Sequence, residues 1–160
     1  MNRDMSSAQV IERQAPTWLD ANDVLGSAVK HITALSPTFN WVGIYILNGD
    51  MLDLGPYIGA PTEHMRIKVG VGVCGTAVAR NEELNVPDVT ASDNYLACSV
   101  ETHSELVVLV RDQDGIVLGQ IDIDSHARDA FSPSLEAAVT HIAQDLGDFW
   151  PNPEARKERA

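Results

Sequence analysis

The sequence predicts an α+β fold, an antiparallel sheet with helices packed largely on one face, and three observations predict it. Two stretches alternate apolar and polar residues with period two around a glycine-bearing turn, the pattern of a β-hairpin. Two others, one near each end, repeat apolar residues at intervals of three and four, as amphipathic helices do. The resulting order of helix, hairpin, short helix, hairpin and helix suits strands that pair with their sequence neighbours.

Each element follows in turn. Residues 1–16 are polar and aperiodic and read as a flexible leader. Beyond Thr17, the apolar positions Val24, Leu25, Ala28, Val29, Ile32 and Leu35 make one helical face, ended by "SPT". "NWVGIYILNGDMLDLGPYIG" then places Trp41, Gly43, Tyr45 and Leu47 on one side of a strand and Val42, Ile44 and Ile46 on the other. Asn48-Gly49 is its expected turn, because both residues tolerate positive φ. A short strand at "RIKV" leads into "GVGVCGTAVARN", a glycine-rich turn entering a short helix. Mostly loop, broken by an extended "LNV", is expected between Leu84 and Ser104. "ELVVLVRDQDGIVLGQIDIDS" is the second hairpin, with its turn at Asp114-Gly115. The final helix has Ser132 as N-cap, Pro133 in its first turn, and a buried stripe of Leu135, Val139, Ile142, Leu146 and Phe149. Residues 151–160 read as a frayed tail, leaving 17–150 as a single domain.

Composition narrows the function. The 160 residues are 44% apolar and 21% charged, the balance of a globular chain that buries its own core. Eleven Lys and Arg against 23 Asp and Glu give a formal charge of -12, which repels phosphate backbones and anionic membranes. Neither nucleic acid nor a membrane is expected as a partner. No signal-peptide h-region opens the chain, so the expected location is the cytoplasm. There, Cys74 and Cys98 form no disulfide framework, and a thiol is structural, metal-binding or reactive.

Gly70, Gly72 and Gly75 spell the spacing of a dinucleotide-binding loop. That fingerprint belongs inside a βαβ unit, however, and "RIKV" is too short and charged to be a buried central strand. The plainer reading is a sharp backbone turn into a helix that passes close to something. Cys74 falls at the start of that helix, where unsatisfied N–H groups favour a thiolate, although a Cys between Val73 and Gly75 is also an ordinary buried filler. In "GQIDIDS", Asp122 and Asp124 share one strand face, either bathed in water or held beside a cation such as an ammonium group. Trp41 and Tyr45 share a face of the first hairpin, as core or as walls of an aromatic box suited to a sulfur-containing or cationic ligand.

Taken in order and spacing, "NWVGIY", "LGPYIG", "RIKVGVGVCGTAVA", "VPDV", "YLACS", "SELVV" and "GQIDIDS" resemble the GAF-domain enzymes known as free methionine-(R)-sulfoxide reductases, over about residues 17–150. The resemblance implies a six-stranded antiparallel sheet backed by helices, a small pocket on the other side, a homodimer, and no cofactor or metal. It makes Cys98, in "YLACS", the catalytic nucleophile and Cys74 a thiol able to resolve its oxidised form. Glu105, Asp122 and Asp124 become pocket carboxylates that bind substrate and assist proton transfer, and Trp41 and Tyr45 the aromatic walls. The implied substrate is free methionine sulfoxide, and the reductant thioredoxin or a small thiol. Two positions depart from the family: His64 stands where another cysteine is usual, and Ser99 follows the nucleophile where Asp is common.

Two other readings follow from the same residues. A non-catalytic GAF module that binds a small ligand or senses redox state would keep the pocket without turnover. A metal site of Cys74, Cys98, His64 and His103 has zinc-like donors but no closely spaced pair.

Overall fold

The computed structural model describes residues 14–91 and 101–151. Cys98 and Ser99 lie outside the described residues, as do residues 1–13 and 152–160. Nine regular elements of helix and strand appear among the described residues: α1 (Val24–Thr33), β1 (Trp41–Asn48), β2 (Met51–Ile58), β3 (Arg66–Lys68), α2 (Gly72–Arg80), β4 (Leu84–Val86), β5 (Ser104–Arg111), β6 (Val117–Ser125) and α3 (Pro133–Phe149). A single 3₁₀ turn, Val89–Ala91, follows β4. The strands form one six-stranded sheet in the order β3-β2-β1-β6-β5-β4, with every described pairing antiparallel.

Strand alternation gives the sheet two apolar faces. Val42, Ile44, Leu106, Val108, Val110, Ile121 and Ile123 point to one, where Leu25, Ala28, Val29 and Ile32 of α1 and Val139, Ile142, Ala143 and Leu146 of α3 cover them. Trp41, Tyr45, Leu52, Val107 and Leu109 point to the other, where Val73, Cys74 and Ala77 of α2 meet them. The two long helices thus share one face as expected, and the short helix closes part of the opposite face, where the site lies. Both long helices have side-chain caps. Asp23 accepts from the Gly26 N–H at 3.1 Å and Ser132 from the Leu135 N–H at 3.3 Å.

The two hairpin turns differ from expectation. Asn48 is still in the ladder, paired with Met51, so the first turn is Gly49-Asp50, and only Gly49 (φ 63°) is left-handed there. In the second, Arg111 pairs with Val117, leaving a five-residue loop in which the Asp112 carboxylate accepts from the N–H groups of Asp114 and Ile116. An Asp side chain that caps its own loop competes with a tight two-residue turn, and here it prevails.

A bulge in β2 matters more to the site. Gly43 pairs with Tyr57 but Tyr45 pairs with Leu54, so two residues, Gly55 and Pro56, oppose Ile44 alone. Proline lacks the N–H of a regular ladder and is confined to such irregular positions. Beyond the bulge, the Tyr57 ring stacks on Trp41, with centroids 5.5 Å apart and planes 20° from parallel.

Candidate active site

The site is assembled by cross-strand register on the α2 face. Trp41 lies opposite Asp124, which lies opposite Glu105; Gly43 lies opposite Asp122, which lies opposite Val107; and Tyr45 lies opposite Gln120, which lies opposite Leu109. The even-numbered residues of β6 and the odd-numbered residues of β1 and β5 therefore line up in adjacent rows. Gly43 leaves space that the Trp41 indole fills, since a Cβ there would come within 2.3 Å of the ring.

The acids do not face water. Glu105 is 3% exposed and Asp122 and Asp124 are 1% exposed each, which removes the reading of a solvated carboxylate face. Burial costs an ionised carboxyl its hydration, so Glu105 and Asp122 hold their protons more tightly. Burial and then the nearby Asp122 and Asp124 push Glu105 well above the ordinary carboxylate range. Burial also raises Asp122, while hydrogen bonds to Glu105 and Cys74 and the charge of His64 moderate the rise. Both shifts run upward, so this adjacent pair favours holding a proton more than a free carboxylate does.

Cys74 joins them from α2. Its Sγ donates to Glu105 Oε1 at 3.8 Å, and Gln120 Nε2 donates to the Cys74 carbonyl at 3.0 Å, pinning the helix start to the sheet. Of the two readings open for Cys74, helix-start thiolate or buried filler, its surroundings favour the buried thiol. Burial, followed by Asp122, Glu105 and Asp124, raises this thiol well above its usual range, and the helix N-terminus does not offset three acids in a desolvated site. Alkylation of Cys74 by iodoacetamide at pH 7 should accordingly be slower than that of an exposed thiol and should accelerate only well into the alkaline range. Peptide mapping by mass spectrometry at successive pH values would read the rate at Cys74 separately from Cys98.

A cavity of about 10 Å³ lies at this cluster, lined among the described residues by His64, Ile67, Val71, Gly72, Val73, Cys74, Glu105 and Asp122. Three expected site residues, Cys74, Glu105 and Asp122, meet there. Trp41, Tyr45 and Asp124 do not line it. The first two pack in the buried face with ring centroids 6.4 Å apart, and Asp124 stands beside Glu105 across the strand pair. His103 is not among the described lining residues, and Cys98, the remaining member of the alternative metal set, lies outside the described residues.

The structure adds Tyr57 and Gln120 to the expected site residues. Tyr57 covers Trp41, and Gln120 holds α2. The Tyr45 hydroxyl donates to the His64 carbonyl at 2.8 Å, while Trp41 Nε1 donates to the Ala60 carbonyl at 3.1 Å. Both aromatics thereby secure the 59–65 segment that brings His64 to the cavity. Gln120 was legible, because it continues the alternation of Asp122 and Asp124. Tyr57 was not, because its facing depends on the bulge.

The GAF-domain family model matches residues 20–148. Among curated proteins, the free methionine-R-sulfoxide reductase of Escherichia coli K12 is 39% identical over 109 residues, which is 67% of this chain and 64% of that protein. The chain therefore matches somewhat less than two thirds of that relative's length. Among solved structures, the type II free methionine-R-sulfoxide reductase of Thermoplasma acidophilum superposes with a TM-score of 0.76 at 38% identity, covering 81% of this chain and 91% of that one. The free methionine-R-sulfoxide reductase of Neisseria meningitidis, solved in complex with its substrate, gives 0.75 at 30% identity, covering 88% of this chain and 82% of that one. With these likenesses over most of the chain, it belongs to the GAF-domain family, in the group of the free methionine-R-sulfoxide reductases.

Proposed function

We propose that this protein reduces free methionine-(R)-sulfoxide to methionine, with Cys98 as nucleophile and the Glu105–Asp122 pair as proton source. One observation carries the reading: a thiol and two proton-retaining carboxyl groups converge on a single cavity in a fold shared with reductases. A sulfoxide is a poor electrophile until its oxygen is protonated, and a carboxyl group that keeps its proton near neutrality is suited to that step.

In the proposed sequence, the Cys98 thiolate attacks the sulfoxide sulfur as Glu105 delivers a proton to the oxygen. The new S–S bond and the S–O bond then both break as the protonated oxygen passes, as hydroxyl, to the Cys98 sulfur, so that methionine leaves, Cys98 becomes a sulfenic acid, and two electrons pass from the thiolate to the substrate. The Cys74 thiol, or an external one, then attacks the sulfenic sulfur, forming a disulfide and releasing water. Thioredoxin or a small thiol restores both cysteines, which suits a cytoplasmic enzyme, and the family's dimeric habit suggests a homodimer. The cavity volume is that of one water or ion, so the site must widen to admit the amino acid.

The test is methionine release from the free (R)-sulfoxide by wild type, Cys98→Ser and Cys74→Ser, with dithiothreitol and with thioredoxin. Cys98→Ser should lose all release. Cys74→Ser should keep a first turnover and remain active with dithiothreitol but lose most activity with thioredoxin. Release undiminished in Cys98→Ser would overturn the mechanism. A second reading, a GAF module that binds a small ligand without turnover, draws on His64 at the position where the family usually carries a cysteine. It predicts ligand binding with no methionine formed under any reductant.

A further inference from the structure

We propose that the cavity is also a binding site for a thiophilic divalent cation of the zinc class, held by Cys74, Glu105 and Asp122 with His64 as fourth donor, and that the bound ion blocks the site. The binding stands on geometry alone, whereas the blocking rests on the reductase reading above.

Three donors from three elements already converge. One ligand atom each from Cys74, Glu105 and Asp122 lies within 4.8 Å of the others. A tetrahedral ion with a sulfur ligand at about 2.3 Å and a carboxylate oxygen at about 2.1 Å requires those two atoms roughly 3.6 Å apart. The Cys74 Sγ to Glu105 Oε1 distance is 3.8 Å, so closure around an ion needs almost no movement. Two further oxygens are available, since Glu105 Oε2 and Asp122 Oδ1 are buried without a hydrogen-bond partner among the described residues. Buried acceptors left unsatisfied are costly, and a cation at their centre would satisfy both. The cavity holds about one ion or water, and His64 stands on its wall outside the three-donor cluster, so its ring must turn inward to become the fourth ligand.

Donor chemistry selects the metal. Magnesium and calcium demand six or more oxygen ligands, which the apolar wall of Ile67, Val71 and Val73 does not supply. A set of one sulfur, two oxygens and one imidazole nitrogen suits zinc or its spectroscopic substitute cobalt. No oxidation state changes. Metal entry displaces the Cys74 thiol proton and the proton held by the carboxyl pair to solvent, so affinity should rise with pH.

The experiment titrates reduced, thiol-free protein with Co²⁺ and records the absorption spectrum. A sulfur-to-cobalt charge-transfer band with tetrahedral d–d bands is expected, abolished by stoichiometric Zn²⁺. The charge-transfer band should vanish in Cys74→Ser and persist in Cys98→Ser. His64→Ala should alter the d–d bands and weaken binding by at least the 10–100-fold typical of residues that only support a ligand. No thiolate band in wild type, or a band that follows Cys98 instead of Cys74, would overturn the site. Methionine release should fall as Zn²⁺ fills the site and recover with a chelator. Cobalt bands together with uninhibited release would retain the site and overturn the blocking.

Discussion

Replacing Glu105 by Gln is expected to cut methionine formation by about 10²–10⁴-fold, the usual worth of a positioned general acid, and to make the protein more stable. The two effects share one cause. Glu105 is 3% exposed and its neighbours Asp122 and Asp124 are also acids, so its ionised form is disfavoured in the folded state. A glutamine fills the same volume, carries no charge, and presents an amide that can donate to Asp122. It cannot protonate a sulfoxide. Removal of a merely structural carboxylate would not lower activity while raising the melting temperature, and this opposition of signs makes the variant diagnostic.

The pH dependence follows from the direction of the shift. A carboxyl whose folded-state pKa lies above its unfolded value binds more protons when folded, so stability falls as pH rises. The contribution is intact below the unfolded pKa and is lost as pH climbs through the folded one. Glu105 and Asp122 both shift this way, chiefly because they are buried. Wild type and Glu105→Gln should therefore melt together near pH 4, and the variant should gain a margin that widens as pH rises above the ordinary carboxylate range. Over that range the wild-type rate should fall on the alkaline side as the shared proton is lost, and Glu105→Gln should lack that limb. Differential scanning calorimetry and a pH–rate profile on the two proteins would check both. Coincident melting curves at pH 9 would show that the carboxyl is not held against its charge.

The periodicities made the sheet and long helices legible because one residue type per face determines them. The centres of the α1 and α3 stripes bury where the three-and-four spacing places them, while Val24, Leu35, Leu135 and Phe149 at their ends are only half-buried, and Asp122 and Asp124 do share a face. Alternation alone leaves open which face is covered, so the acids read equally well as solvated until α2 lies over them. Packing of that helix depends on Gln120 reaching the Cys74 carbonyl across 46 positions, a contact with no local signature. For the same reason the sequence leaves the protonation state of Cys74 open. Its helix position is local and visible, whereas the acids that outweigh it arrive from β5 and β6. The bulge at Gly55 and Pro56 was marked in principle by a proline inside a strand, but its consequence, Tyr57 laid on Trp41, needs the register of both strands.

Gly75→Ala should destabilise the protein by about 1–3 kcal/mol although it places a better helix former inside a helix. Alanine in a helix interior is favoured over glycine by roughly 1 kcal/mol when nothing else intervenes. At Gly75 something does. An added Cβ would lie 2.5 Å from the Lys68 carbonyl oxygen and 2.9 Å from the Gly70 nitrogen, both backbone atoms that cannot rotate away. They are held in place, moreover, because the Gly70 N–H donates to the Gly75 carbonyl at 2.8 Å. This clash also separates the three glycines of the loop by purpose. Gly70 (φ 95°) and Gly72 (φ 66°) supply left-handed turns, while Gly75 supplies only close approach, and no phosphate is needed to explain any of them. Relief of the clash must lift the start of α2 from β3, and Cys74 is the adjacent residue, so the thiol should withdraw from Glu105. The variant should then show a lower urea midpoint and faster alkylation of Cys74 at neutral pH. Thioredoxin-dependent turnover should fall about as far as in Cys74→Ser, with the first turnover preserved. An unchanged or higher midpoint would mean that helix propensity outweighs the contact and that α2 is not clamped at this point.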